Sequence, residues 1–133
     1  MFMQLKYALA AVLAAIVALL GGWSPLLTGL LVLQFLDIAS GIAAAIPEGR
    51  VSSCVGWAGL SKKVATWLAV FLLAQVDCLT GAGLHLRDAG AMWYCAIEAI
   101  SVTENLGEAG VPLPDVLMDA IAVLKGKGEK PAS

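Results

Sequence analysis

Apolar positions run almost unbroken along the first third of the chain, with no charged residue between positions 7 and 36. Thirty residues exceed the roughly 20 that one straight helix needs to cross a bilayer core. The run is broken at Gly21-Gly22-Trp23-Ser24-Pro25, where Gly and Pro end helices and Trp favours a membrane–water interface. The pattern therefore predicts a first helix over about 5–22 and a second over about 25–46, closed by the turn signal Pro47-Glu48-Gly49-Arg50. A mixed loop over 47–63 follows, and Lys62 and Lys63 introduce a third apolar segment over about 64–84. The polar turn His85-Leu86-Arg87-Asp88 separates it from a fourth over about 89–105, with Trp93 and Tyr94 near its start. The first of these segments lacks the polar face that a helix of a soluble bundle presents to water.

After Gly107 the pattern changes. Gly110-Val111-Pro112-Leu113-Pro114 is a rigid, extended linker, and 115–125 is a short amphipathic helix with Leu117, Ile121 and Leu124 on one face. The Gly/Lys/Pro tail, residues 126–133, has no apolar face. The expected architecture is all-α: an integral membrane bundle of about four transmembrane helices over 1–106, then a cytoplasmic linker, amphipathic helix and basic tail over 107–133. A cleaved leader is not expected, since no small-x-small site follows the first apolar stretch.

Composition narrows the function. The chain has 133 residues, 60% apolar and 14% charged, against about 25% charged in ordinary domains. Its mean hydropathy is +0.88 and its net charge −2, which gives no electrostatic case for a nucleic-acid partner. Three scattered Cys and one His fit neither a disulfide framework nor a metal pattern. With no phosphate loop and no nucleophile–base pair, neither an enzyme nor a bound metal or cofactor is expected. Lys and Arg set orientation. Lys6, Arg50, Lys62, Lys63, Lys125, Lys127 and Lys130 lie in the N-terminus, the 47–63 loop and the tail, whereas the other two turns hold only Arg87. Both termini are thus expected in the cytoplasm.

Three carboxylates interrupt the apolar segments: Asp37, Asp77 and Glu98. An acid at the centre of a spanning helix costs about 2.5–3.5 kcal/mol on insertion scales and normally faces a helix interface or water. Each has a hydroxyl three residues on, Ser40, Thr80 and Ser101, which shares its helix face. These six are the candidate polar residues, lining a lesion or an interface. Asp37-Ile38-Ala39-Ser40-Gly41 and Asp77-Cys78-Leu79-Thr80-Gly81 also repeat Asp-x-x-Ser/Thr-Gly at a spacing of 40, either by inverted duplication or by chance. Small residues at Ala10, Ala14, Ala18 and Gly22, with Gly41 and Gly81, are candidate helix-packing positions that favour self-association. Trp57, Lys62 and Lys63 are read as a loop anchor at the headgroups.

The ordered set resembles the phage-lysis and toxin-secretion holins over about residues 30–124. It comprises Leu36-Asp37-Ile38-Ala39-Ser40-Gly41, then Gly56-Trp57-Ala58-Gly59-Leu60-Ser61-Lys62-Lys63, then Val76-Asp77. Glu98-Ala99-Ile100-Ser101-Val102-Thr103-Glu104-Asn105 follows, and Val111-Pro112-Leu113-Pro114 closes it, so Glu104, Asn105, Pro112 and Pro114 are its motif residues. The resemblance implies a homo-oligomer in the bilayer of the bacterial cytoplasmic membrane. It would open lesions at a set time, releasing an endolysin that it does not itself bind, or a toxin. The rival reading is a small proton-coupled transporter or channel subunit. Its first helix would be expected to carry the acid, and here that helix has none.

Overall fold

The computed structural model describes residues 1–126, and of Cys54 and Val55 only the backbone. The expected tail positions Lys127 and Lys130 lie outside the described residues. The described residues form five helices in order: α1 (Phe2–Leu19), α2 (Pro25–Ala45), α3 (Ser53–Thr80), α4 (Leu86–Glu108) and α5 (Asp115–Leu124). Among the described residues there is no strand.

Local chemistry sets the boundaries. Gly21 and Gly22 take positive φ and end α1, and Ser24 starts α2 by accepting the Leu27 N–H at its hydroxyl, with Pro25 at the first helical position. The third helix differs most from expectation. It begins about eleven residues earlier than the hydropathy suggested, because nothing after Arg50 stops it and Gly56 and Gly59 are tolerated within it. It ends at Thr80, since Gly81 and Gly83 turn the chain at positive φ. Gly81 is therefore a helix-ending residue with open space around it, not a packing contact.

Three helices are long and apolar enough to cross a membrane: α1, α2, and residues Gly56–Thr80 of α3. The fourth expected span does not meet that standard, because α4 carries Arg87, Asp88, Glu98, Glu104 and Glu108. It is nevertheless the centre of the assembly, packing along α2 and against α3.

Burial is inverted relative to a water-soluble protein. Large apolar side chains such as Phe35, Leu68 and Leu72 stand exposed, while Gln34, Ser40, Lys63, Glu98 and Thr103 are buried. A small apolar core of Leu20, Leu27, Leu30, Val70 and Ala91 fills one half of the bundle. Trp67 stacks on Trp23 beside it, ring centroids 6.0 Å apart, well away from Trp57.

Two polar tethers define one end. Arg87 Nη1 donates to the carbonyls of Leu20 (2.7 Å) and Gly22 (3.0 Å), and Gln75 Nε2 donates to that of Leu19 (2.7 Å). They satisfy carbonyls that a helix end leaves orphaned and hold the α1–α2 turn beside the α3–α4 turn. At the opposite end Arg50 pairs with Glu48 and Glu108, and Lys125 pairs with Glu104. Beyond its last turns α1 is uncovered, with no buried residue. Ala10, Ala14 and Ala18 accordingly lie exposed.

Candidate functional site

The polar interior converges on Lys63. Its Nζ lies 2.7 Å from Asp37 Oδ2 on α2 and 2.7 Å from Glu98 Oε2 on α4. Lys63 and Glu98 are each 8% exposed, so both charges are removed from solvent. The expectation that Lys63 anchors a loop at the headgroups is corrected here: with α3 beginning at Ser53, Lys63 is well inside the helix and points into the bundle. Lys62, about 100° further round the helix, is exposed, as is Trp57. A buried ion survives only when it is paired and hydrogen-bonded, and Lys63 supplies that pairing to two carboxylates at once.

Asn105 completes the cluster. Its Nδ2 lies 3.1 Å from Asp37 Oδ1, 3.3 Å from the Asp37 carbonyl and 3.1 Å from Ser40 Oγ. The Ser40 hydroxyl donates to the Asp37 carbonyl at 3.1 Å. Ser40 thus extends the polar row towards a neighbouring helix. Gly41 lies against Asn105, where an added Cβ would come within 3.4 Å of Nδ2. Counted at about 1.5 Å per residue, Asp37 and Glu98 both stand about 18 Å along their helices from the Arg87 end. The two acids therefore share one level near mid-bundle. Replacing Asn105 with Ala is expected to destabilise the bundle by about 1–3 kcal/mol, the usual cost of leaving buried acceptors unpaired. Detergent-titrated unfolding of the purified chain measures it, and Asn105→Asp should not restore the bonds because it brings a third acid.

Asp77 does not join the cluster. It lies in the last turn of α3, where Oδ1 accepts the Leu86 N–H and Oδ2 the Arg87 N–H, each at 2.9 Å. His85, the residue preceding α4, has φ 53° and its side chain makes no capping bond, so the α3 carboxylate caps α4 in its place. Thr80 bonds its hydroxyl to backbone carbonyls of its own helix. The two copies of the Asp-x-x-Ser/Thr-Gly repeat consequently do different work, one in the charge cluster and one at a turn. Ser101 is half-buried on α4, one turn from Glu98. Glu104 faces outward to Lys125, while Pro112 and Pro114 lead into α5.

Two residues at helix contacts escaped the sequence reading. Gln34, one turn before Asp37, accepts the Trp67 indole N–H at Oε1 (2.9 Å) and leaves Nε2 buried without a partner. An uncharged amide in an apolar run carries little signal, although its spacing of three from Asp37 and six from Ser40 places it on their face. Gly90 is the other: a Cβ there would overlap Leu73 Cδ1, so Leu73 of α3 occupies the space its missing side chain leaves on α4.

The sequence pattern of the bacteriophage holin family matches residues 14–126, which contain the whole cluster. The chain belongs to that family. A probable holin of Bacillus phage phi105 is 30% identical over 101 residues, covering 76% of this chain and 75% of its own. An uncharacterized protein of Halalkalibacterium halodurans is 35% identical over 131 residues, 95% of this chain and 97% of that one. Another from Listeria monocytogenes is 35% identical over 91 residues, 68% and 65% of the respective chains. No solved structure matches. Family membership, together with three long apolar helices, makes this a membrane protein.

Proposed function

We propose that this chain is a holin of the bacterial cytoplasmic membrane that associates with copies of itself and opens lesions. An endolysin would reach the cell wall through them without binding this protein. The family match over residues 14–126 carries the reading. In this proposal α4 crosses beside α2, since the two pack along each other with nearly equal lengths of 23 and 21 residues, and its polar side chains are shielded by its neighbours. Lys6, Arg50, Lys62 and Lys125 then put the Arg50 end in the cytoplasm, leaving Arg87 at the other. The uncovered Ala10, Ala14 and Ala18 face of α1 is available to a second copy.

The cluster gives the closed state its reason to exist. While the bundle is dry, two carboxylates share one ammonium, which leaves one negative charge in excess. If the faces of α2, α3 and α4 part and admit water, all three groups regain hydration, so the acids line the lesion. Asp37→Asn and Glu98→Gln each convert the site to a balanced pair and should strengthen the closed form. On expression in bacteria, the native chain should halt growth abruptly and depolarise the membrane. Either variant should insert equally and depolarise later. Growth without depolarisation for the native chain would sink the holin reading, whereas unchanged timing in both variants would remove the cluster from the opening step.

A further inference from the structure

Among the described residues, Gln34 carries the one fully buried side-chain donor without a partner, and the bond it does make fixes where that donor points. Trp67 on α3 donates its indole N–H to Gln34 Oε1 at 2.9 Å. The planar amide cannot be turned over, since that would set two donors against each other. Nε2 is therefore directed away from the indole, in a side chain only 4% exposed. A buried donor left unpaired is costly, and such groups are normally bonded to protein or to an ordered water.

The surrounding chemistry limits what can pair with it. Counted at about 1.5 Å per residue, Gln34 stands about 4.5 Å nearer the Arg87 end than Asp37 and Glu98. In the Glu98 layer Lys63 takes Oε2, and among the described residues no bond reaches Oε1, from Gln34 or from any other group. A ligand between the two layers must accept from an N–H on one side and donate to a carboxylate on the other. A metal cation cannot accept, and an anion would face a cluster that already has one negative charge in excess. Water does both, and two hydrogen bonds of about 2.9 Å meeting at its oxygen span a gap of this order.

We propose that Gln34 Nε2 and Glu98 Oε1 hold one water molecule between them, inside the bundle. A buried water bonded on both sides is part of the structure and not of the bulk solvent. It completes one polar row through three helices: Trp67 to Gln34, through the water to Glu98, across Lys63 to Asp37, and on to Asn105. The proposal goes beyond the holin reading and stands whether or not lesions open.

The chain has three glutamines, Gln4, Gln34 and Gln75, so the amide can be observed directly. The test uses the full chain, isotope-labelled at its glutamine side-chain nitrogens, in nanodiscs of phosphatidylethanolamine and phosphatidylglycerol, and Gln34→Met assigns the signal. Magnetisation should pass from water to the Gln34 amide protons by through-space contact. Those protons should exchange with bulk water several-fold more slowly than those of the exposed Gln4. In Glu98→Met, which keeps the length and removes the acceptor, the transfer should fall several-fold. An unmoved Gln75 signal, from the amide bonded to the Leu19 carbonyl, checks that this variant is folded. Absence of transfer to Gln34 in the native chain would overturn the proposal. So would undiminished transfer in a folded Glu98→Met, which would take Glu98 out of the site. Exchange at Gln34 as fast as at Gln4 would also overturn it, because the amide would then meet bulk solvent.

Discussion

Replacing Lys63 with Met is expected to destabilise the folded bundle by about 3–5 kcal/mol, the range found when one partner of a buried ion pair is removed. The loss follows from what remains: Asp37 and Glu98 would face the same dry space with no cation between them, since each now bonds the same Nζ at 2.7 Å. Lys62→Met removes the same charge from an exposed position and should change stability by no more than about 0.5 kcal/mol. Unfolding of the purified proteins in mixed detergent micelles compares them. The charge-free combination of Lys63→Met, Asp37→Asn and Glu98→Gln should recover most of the loss, because the penalty belongs to unpaired charge and not to missing volume. Equal stability of Lys63→Met and the native chain would mean that the three groups do not meet.

Replacing Gly90 with Leu should give the second large effect, an overpacking loss of about 1–3 kcal/mol. Even a Cβ at this position meets the end of Leu73, and Ala91 beside it is wholly buried, so a larger residue here must displace side chains of α3. Gly90→Ala alone should cost less, since the Leu73 terminus can rotate. Adding Leu73→Ala to Gly90→Leu should return part of the loss, as neighbouring residues couple. The same unfolding measurement decides it, and strictly additive losses would argue against direct contact.

The helices themselves were legible because four apolar stretches were separated by Gly, Pro and charge. The acids were legible as charges where charge is costly, and the structure gathers Asp37 and Glu98 at one level. The partner of those acids was hidden by its neighbour. Lys62-Lys63 reads as a pair at a loop end, and only the helical turn begun at Ser53 sends one residue outward and the next inward. Asp77 was placed too deep because residues 81–84 are apolar by hydropathy, while Gly81 and Gly83 bend the backbone there. Asn105 was visible as a motif residue, but its bond to Asp37 spans 68 positions of sequence and no local pattern encodes it. Gly90 gave no signal, since its importance lies in the approach of another helix.

The inverted burial has a consequence for how the bundle comes apart. Its exterior gains nothing from leaving lipid, so part of the cohesion of α2, α3 and α4 is attraction between charges, and that attraction depends on the medium between them. Letting bulk water replace a protein-like surrounding weakens it about fourfold, from an effective dielectric constant near 20 to one near 80. The first water molecules to enter beside Lys63 thus loosen the bonds that kept the next ones out. If the proposed opening begins at this seam, its wetting is self-reinforcing, so separation should proceed as a threshold event and not in proportion to the strain applied.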